Sequence, residues 1–254
     1  MKNIILIFCA AFATITLTAF GYISWNETEI HLDNINKNDL DLHYRVSTRW
    51  KSMTKKEIKE INSIVEILNN DAMYKREAFK NVTISILHND KDVRDIKQFE
   101  MGQSEMFNTA QRELLNAVDY STNLRITALS KRTNIKTGVV EDDSSVVYLT
   151  IIPEKEAEFE GGNDALIQYL KKSSKDKTAI IREDQLQPGK VFFTVTKKGT
   201  IKHIKIIDTS GYASIDKELV KIISNMPKKW TPAENSKGEK VDQEFVFFFG
   251  TQGC

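Results

Sequence analysis

Cysteine, proline and glycine are all scarce in this 254-residue chain, and each scarcity excludes something. The two cysteines, Cys9 inside an apolar stretch and Cys254 at the far end, cannot assemble a disulfide framework or a cysteine zinc site within one chain. Four prolines and 11 glycines rule out collagen and a long proline-rich spacer. Excess charge of one sign is also lacking. The 36 Lys+Arg against 35 Asp+Glu leave +1, which argues against a nucleic-acid partner. What is present, 41% hydrophobic and 28% charged residues, is the composition of a folded globular protein. At roughly 150 residues per domain the length allows one large or two modest domains.

Catalytic signatures are missing as well. There is no Gly-x-Ser-x-Gly elbow and no phosphate loop, and Gly161-Gly162 lacks the strand-to-helix Gly-x-Gly-x-x-Gly context that cradles a dinucleotide. A tight turn before a helix is its expected role. His31, His43, His88 and His203 are widely spread with no His-x-x-x-His pair, so no metal is expected. The acids Asp142-Asp143 and Glu154, Glu156, Glu158, Glu160 read as solvated strand edge rather than as Ca²⁺ ligands, and the lysine-rich residues 171–177 as a solvated loop. The expectation is a protein that is not an enzyme and takes no cofactor, no metal and no nucleic acid.

The N-terminus speaks about location. Beyond Lys2 and Asn3, residues 4–25 carry no charge, and as a helix they would span about 33 Å against a hydrocarbon core of about 30 Å. Lys2 on one side and Glu27, Glu29 on the other place the rest of the chain outside the cytoplasm, with Tyr22 and Trp25 as interfacial anchors. Ala19-Phe20-Gly21 also has the small-x-small form of a cleavage site. Residues 1–26 are therefore expected to be a signal-anchor helix or a signal peptide, with the rest of the chain outside the cytoplasm.

Residues 27–145 read as a small α/β region. No element is assigned over 27–50. Thr54-Lys55-Lys56-Glu57 has capping-box spacing, and Ile58, Ile61, Val65 and Leu68 recur at helical intervals, which predicts a helix over 54–69 ended by Asn69-Asn70-Asp71. Alternation predicts a strand over 82–86. Phe107, Ala110, Leu114 and Val118 predict a helix over 104–118, with another strand at 124–129. Gly138 and the acidic Glu141-Asp142-Asp143-Ser144-Ser145 interrupt the pattern and set a domain boundary at 145/146.

Residues 146–254 follow the order strand, helix, strand, strand, helix, strand. An apolar run over 146–152 stops at Pro153, and Asn163 caps a helix with Leu166, Tyr169 and Leu170 inward. Val191, Phe193 and Val195 alternate along a strand, and Lys197-Lys198-Gly199 turns the chain into a second over 201–207. Ile215, Leu219, Ile222, Ile223 and Met226 form one stripe of a helix stopped by Pro227. A closing strand over 241–249 puts Phe245, Phe247 and Phe249 on one face and Phe248 on the other. The middle region echoes the last one in element order, as a diverged copy of the same unit or as an unrelated α/β unit would.

Three segments in this order resemble the C-terminal domain of TonB-type proteins, especially the form common in Bacteroidota. The first is Glu158-Phe159-Glu160-Gly161-Gly162 before Leu166 and Tyr169-Leu170, with Glu160 where the family usually has Pro. The second runs from Gly189-Lys190-Val191-Phe192-Phe193-Thr194-Val195 through Lys198-Gly199 and Thr209-Ser210-Gly211 to Ile215-Asp216. The third is Met226-Pro227-Lys228-Lys229-Trp230-Thr231-Pro232-Ala233 followed by Lys237-Gly238, with an extra Lys before Trp230 and Ala233 in place of Gly. The resemblance implies an α+β fold: an antiparallel sheet with helices on one face, preceded by the second small α/β region and the N-terminal hydrophobic helix.

It also implies β-augmentation, in which an unpaired edge receives an extended segment of another envelope protein, for instance of an outer-membrane receptor. The partner-binding residues it implies are Gln243, Glu244, Phe245, Val246, Phe247, Phe248 and Phe249. The family's energy transducers carry a long linker and an anchor histidine. This chain has four prolines and no histidine in residues 4–25, so an adaptor is the first expectation and a working transducer the alternative.

Overall fold

The computed structural model describes residues 42–68, 73–88, 93–178, 186–227 and 230–250, all within one compact unit that begins at Asp41. The apolar residues 4–25, both cysteines and Asn69-Asn70-Asp71 lie outside the described residues, among which no helix is long and apolar enough to cross a membrane.

Leu42, Tyr44 and Val46 are buried and alternate with less buried neighbours, and His43–Ser47 is strand β1. Lys51–Thr54 forms β2, and Thr54 caps α1, Lys55–Glu60. Its hydroxyl accepts the Glu57 amide while the Glu57 carboxylate accepts the Thr54 amide. The helix expected over 54–69 ends there. Ser63 opens a second capping box with Glu66, and the backbone of Asn62 and Ile64 is drawn to Phe107 and Glu105, so Ile64–Glu66 closes only as a 3-10 turn.

Strands β3 (Tyr74–Leu87) and β4 (Ile96–Gly102), helix α2 (Thr109–Ala117), and strands β5 (Asn123–Asn134) and β6 (Val140–Ile152) complete this half. The strand expected over 82–86 has 14 residues, and β4 is an additional strand beyond those expected. Helix α2 starts later than expected because Asn108 and Gln111 form its capping box. The sheet order is β2-β6-β5-β3-β4, with β2 parallel to β6 and the other pairs antiparallel. Its core includes Ile58, Ile84, Leu115, Ile126 and Leu149. Gln111, itself fully buried, crosses this core to donate from Nε2 to the Val82 carbonyl at 2.9 Å.

The acidic run does not break the chain. It lies inside β6 opposite basic residues: Arg132 Nε meets Glu141 at 2.7 Å, Lys80 Nζ meets Asp142 at 3.1 Å and Arg76 Nε meets Asp143 at 3.0 Å. Position 145/146 therefore falls within a strand, and the changeover between sheets comes after Ile152. Burial raises the Asp143 pKa, but the Ser145 hydroxyl, Arg76 and Arg132 outweigh it and hold the carboxyl below its ordinary value. Lys80 lowers that of Asp142.

Because these folded-state values lie below the unfolded ones, the stabilisation is complete above about pH 4 and is lost as pH falls through the folded values. Urea midpoints should therefore drop below about pH 4. Asp143→Asn should lower the midpoint at pH 7 and flatten the acid limb; a variant with an unaltered limb would show that this carboxylate does not carry it.

The second half comprises β7 (Glu158–Phe159), α3 (Gly162–Thr178), β8 (Gly189–Val195), β9 (Ile201–Asp208), α4 (Ala213–Ser224), the two-residue strands β10 (Trp230–Thr231), β11 (Ala233–Glu234) and β12 (Lys240–Val241), and β13 (Gln243–Gly250). Gly161 at φ 87° and Gly162 at φ 77° make the turn into α3, as expected. At the β8–β9 hairpin Gly199 has φ 70°, and a Cβ there would collide with the Trp230 carbonyl oxygen. The Asp216 carboxylate in the first turn of α4 fixes the Ser210-Gly211 turn by accepting the Thr209 hydroxyl and, at 2.9 Å, the Ser210 amide.

Of these, β8, β9 and β13 join β1 in a fully antiparallel sheet, β1-β13-β8-β9, with α3 and α4 packed against it, while β7 pairs with β10 and β11 with β12, and the chain is α+β. The two sheets share a pattern. In each, a hairpin leads to a helix and then to a strand that returns beside the hairpin's first strand, giving β4-β3-β5 and β9-β8-β13. Residues 82–86, within β3, thus hold the place that β8 has in the other sheet.

Candidate functional site

Strand β13 alternates its side chains between two faces. Phe245, Phe247 and Phe249 are buried on one face, where the Phe245 ring lies 5.8 Å from Phe193 and 5.5 Å from Trp230. Glu244, Val246 and Phe248 point the other way; Val246 is buried, while Glu244 and Phe248 are half-buried. Gln243 is buried, and its side-chain amide accepts the Ala157 amide at 2.7 Å and donates to Glu156 at 2.7 Å.

The expectation that residues 243–249 present an open edge is corrected by the pairing. On one side β8 runs antiparallel from Val195, opposite Gln243, to Gly189, opposite Phe249. On the other, β1 runs antiparallel from His43, opposite Gly250, to Ser47, opposite Val246. The physical cause is the apolar alternation of β1. Its Tyr44 and Val46 are carried onto the phenylalanine face, with the Tyr44 ring 5.7 Å from Phe247 and 5.4 Å from Phe249. The Tyr44 hydroxyl is 2.7 Å from Ser174 Oγ on α3, and the Arg45 guanidinium sits 4.1 Å from the centroid of the Phe248 ring on the other face.

Beyond the reach of β1 the edge is met by a loop, where the Glu244 amide donates to Ser121 Oγ at 3.0 Å. Next to it, burial and the Glu154 carboxylate push the Tyr120 hydroxyl pKa up.

Two hollows flank β1. One of about 370 Å³ opens where β1 leaves β13, with Ser47, Ala157, Trp230 and Phe245 in its lining. The other, of about 970 Å³, lies against the outer side of β13 and is lined by Arg45, Arg49, Trp50, Lys190 and Phe248 among others. Trp50 stacks on Tyr148 at 4.7 Å, so residues 48–50 lead the chain from one sheet to the other. The phenylalanine stripe was legible in the sequence. Leu42, Tyr44, Val46 and Ser121 were not assigned a role, although the alternation of residues 42–47 is a local signal of a strand.

The β8-to-β13 unit also stands out by comparison. Residues 188–249, about a quarter of the chain, match the family described as Gram-negative bacterial TonB protein C-terminal. The match takes in β8, β9, α4 and nearly all of β13, and leaves out α3, β7 and β1. No curated protein and no solved structure matches the chain.

Proposed function

Because the chain contains a TonB C-terminal domain, we propose that it is an exported, non-enzymatic envelope protein that binds an extended segment of another envelope protein by β-strand addition. In this reading residues 4–25 hold it in the inner membrane, or are removed to leave it in the periplasm. The observation that carries the proposal is that the family match falls on the β8, β9, α4 and β13 succession, in which β13 returns beside β8. Within that unit β13 is the outer strand, and in the full chain its outer row is occupied by β1 and by the Ser121 hydroxyl. Side chains at Glu244 and Phe248 flank this row and are half-buried, so a probe placed there reports on whatever strand lies beside β13.

The test is photo-crosslinking in cells from Glu244 and Phe248, with mass spectrometry of the captured peptides. Extended segments of envelope proteins are expected. Outer-membrane receptor segments among them would make the protein an energy transducer for uptake, and other periplasmic or inner-membrane proteins an adaptor. Capture of nothing but the chain itself would overturn the proposal.

A further inference from the structure

Resting on that reading, we infer that the partner enters β13 by strand exchange: β1 is an internal occupant of the partner's place, and its sequence states the chemistry of the segment that fits. The family-matched unit contains β13 but not β1, which comes from far upstream and outside the match. Strand β1 is also the outermost of the four, with β13 its sole sheet neighbour.

It has five residues, and each holds a position any incoming strand must fill. Tyr44, opposite Phe249, puts an aromatic ring against Phe247 and Phe249 and a hydroxyl on Ser174. Val46, opposite Phe247, supplies a buried β-branched residue. Between them Arg45, opposite Phe248, lays a cation on that ring from the other face. The fitting partner is therefore an extended peptide with an aromatic residue, a basic residue and a β-branched aliphatic residue in succession. Side chains of such a peptide at the Phe248 position enter the hollow of about 970 Å³ that Arg45 borders, and a segment longer than β1 extends toward the one of about 370 Å³ beside Phe245.

Exchange makes a direct prediction in vitro. A fluorescein-labelled peptide with the sequence of residues 42–48 is titrated into the full chain in detergent, and into the full chain carrying Tyr44→Asp with Val46→Asp. The two carboxylates cannot enter the phenylalanine face, so β1 leaves and the edge opens. The altered chain should bind the peptide at least tenfold more tightly than the parent, and a peptide bearing the same two changes should not bind. A folded altered chain, with its far-ultraviolet circular dichroism intact, that ignores the peptide would overturn the exchange.

If that chain does not fold, a lock decides instead. In a chain with Cys9→Ser and Cys254→Ser, Arg45→Cys and Phe248→Cys stand at opposed positions where an antiparallel pair brings Cα atoms within disulfide reach. Oxidation should abolish peptide capture and a reductant restore it, whereas equal capture in both states would sink the inference. These results are independent of the cellular crosslinks. Peptide exchange in a chain that captures nothing in cells would reject the envelope-partner reading and keep the exchange site.

Discussion

Replacing Phe247 with alanine should cost about 3–5 kcal/mol of stability, because a fully buried phenylalanine leaves both its transfer free energy and a cavity behind. The position is central in every direction. Phe247 lies opposite Val191 of β8 and Val46 of β1, with Tyr44 and Phe249 rings around it. The loss should not be uniform across the sheet. Strand β1 rests on this ring through Tyr44, while β8 keeps its own pairing with β9, so amides of β1 should lose protection from exchange before those of β8. Urea unfolding gives the first quantity and amide hydrogen exchange the second. A shift below about 1 kcal/mol with β1 still protected would mean that the ring is not what holds it.

Trp230→Ala should have an effect of similar size, about 3–5 kcal/mol, and it separates packing from recognition. Trp230 belongs to the segment that resembles the family's tryptophan motif. The structure makes it core. Its ring lies 5.5 Å from Phe159, 6.0 Å from Phe193 and 5.5 Å from Phe245, and its backbone pairs with Phe159. Its carbonyl oxygen also sets the space that only a glycine at position 199 leaves free. Thermal or urea unfolding should therefore register the substitution fully, while the milder Trp230→Phe keeps most of the aromatic contact. If Trp230→Ala left stability within about 1 kcal/mol and abolished partner capture, the residue would belong to a binding surface instead.

Which elements the sequence disclosed follows from how local their causes are. The hairpin at Lys197-Lys198-Gly199, the helix carrying Ile215, Leu219, Ile222 and Ile223, and the phenylalanine strand are each specified by a turn residue or a period within about a dozen positions. The helix expected over 54–69 had the right period. It is cut short where the backbone of Asn62 and Ile64 is bonded to Phe107 and Glu105, more than 40 positions away, which no local pattern encodes. The acidic residues 141–145 read as a break because their counterparts, Arg76, Lys80 and Arg132, sit on other parts of the chain and become neighbours only in the sheet.

The candidate site divides in the same way. The face of β13 that carries Phe245, Phe247 and Phe249 was visible as an alternation, but edge status is a property of the whole sheet. The alternation of residues 42–47 signals a strand, but nothing near it names β13 as its neighbour. Gln111 illustrates the complementary blindness: a polar residue on a helix reads as solvated, whereas here the Val82 carbonyl draws it fully inside.

The distance along the chain between β1 and β13 has a kinetic consequence. His43 and Gly250 are partners separated by roughly 200 residues, a closure whose entropy makes it slow beside the hairpins and the β8–β13 pairing. In a chain made from its N-terminus, β1 is finished first and its neighbour last. This order of closure predicts an interval in which β8, β9 and β13 have assembled and the outer row of β13 is still vacant. Whichever strand arrives during that interval, the chain's own or another protein's, starts with the advantage of timing rather than affinity.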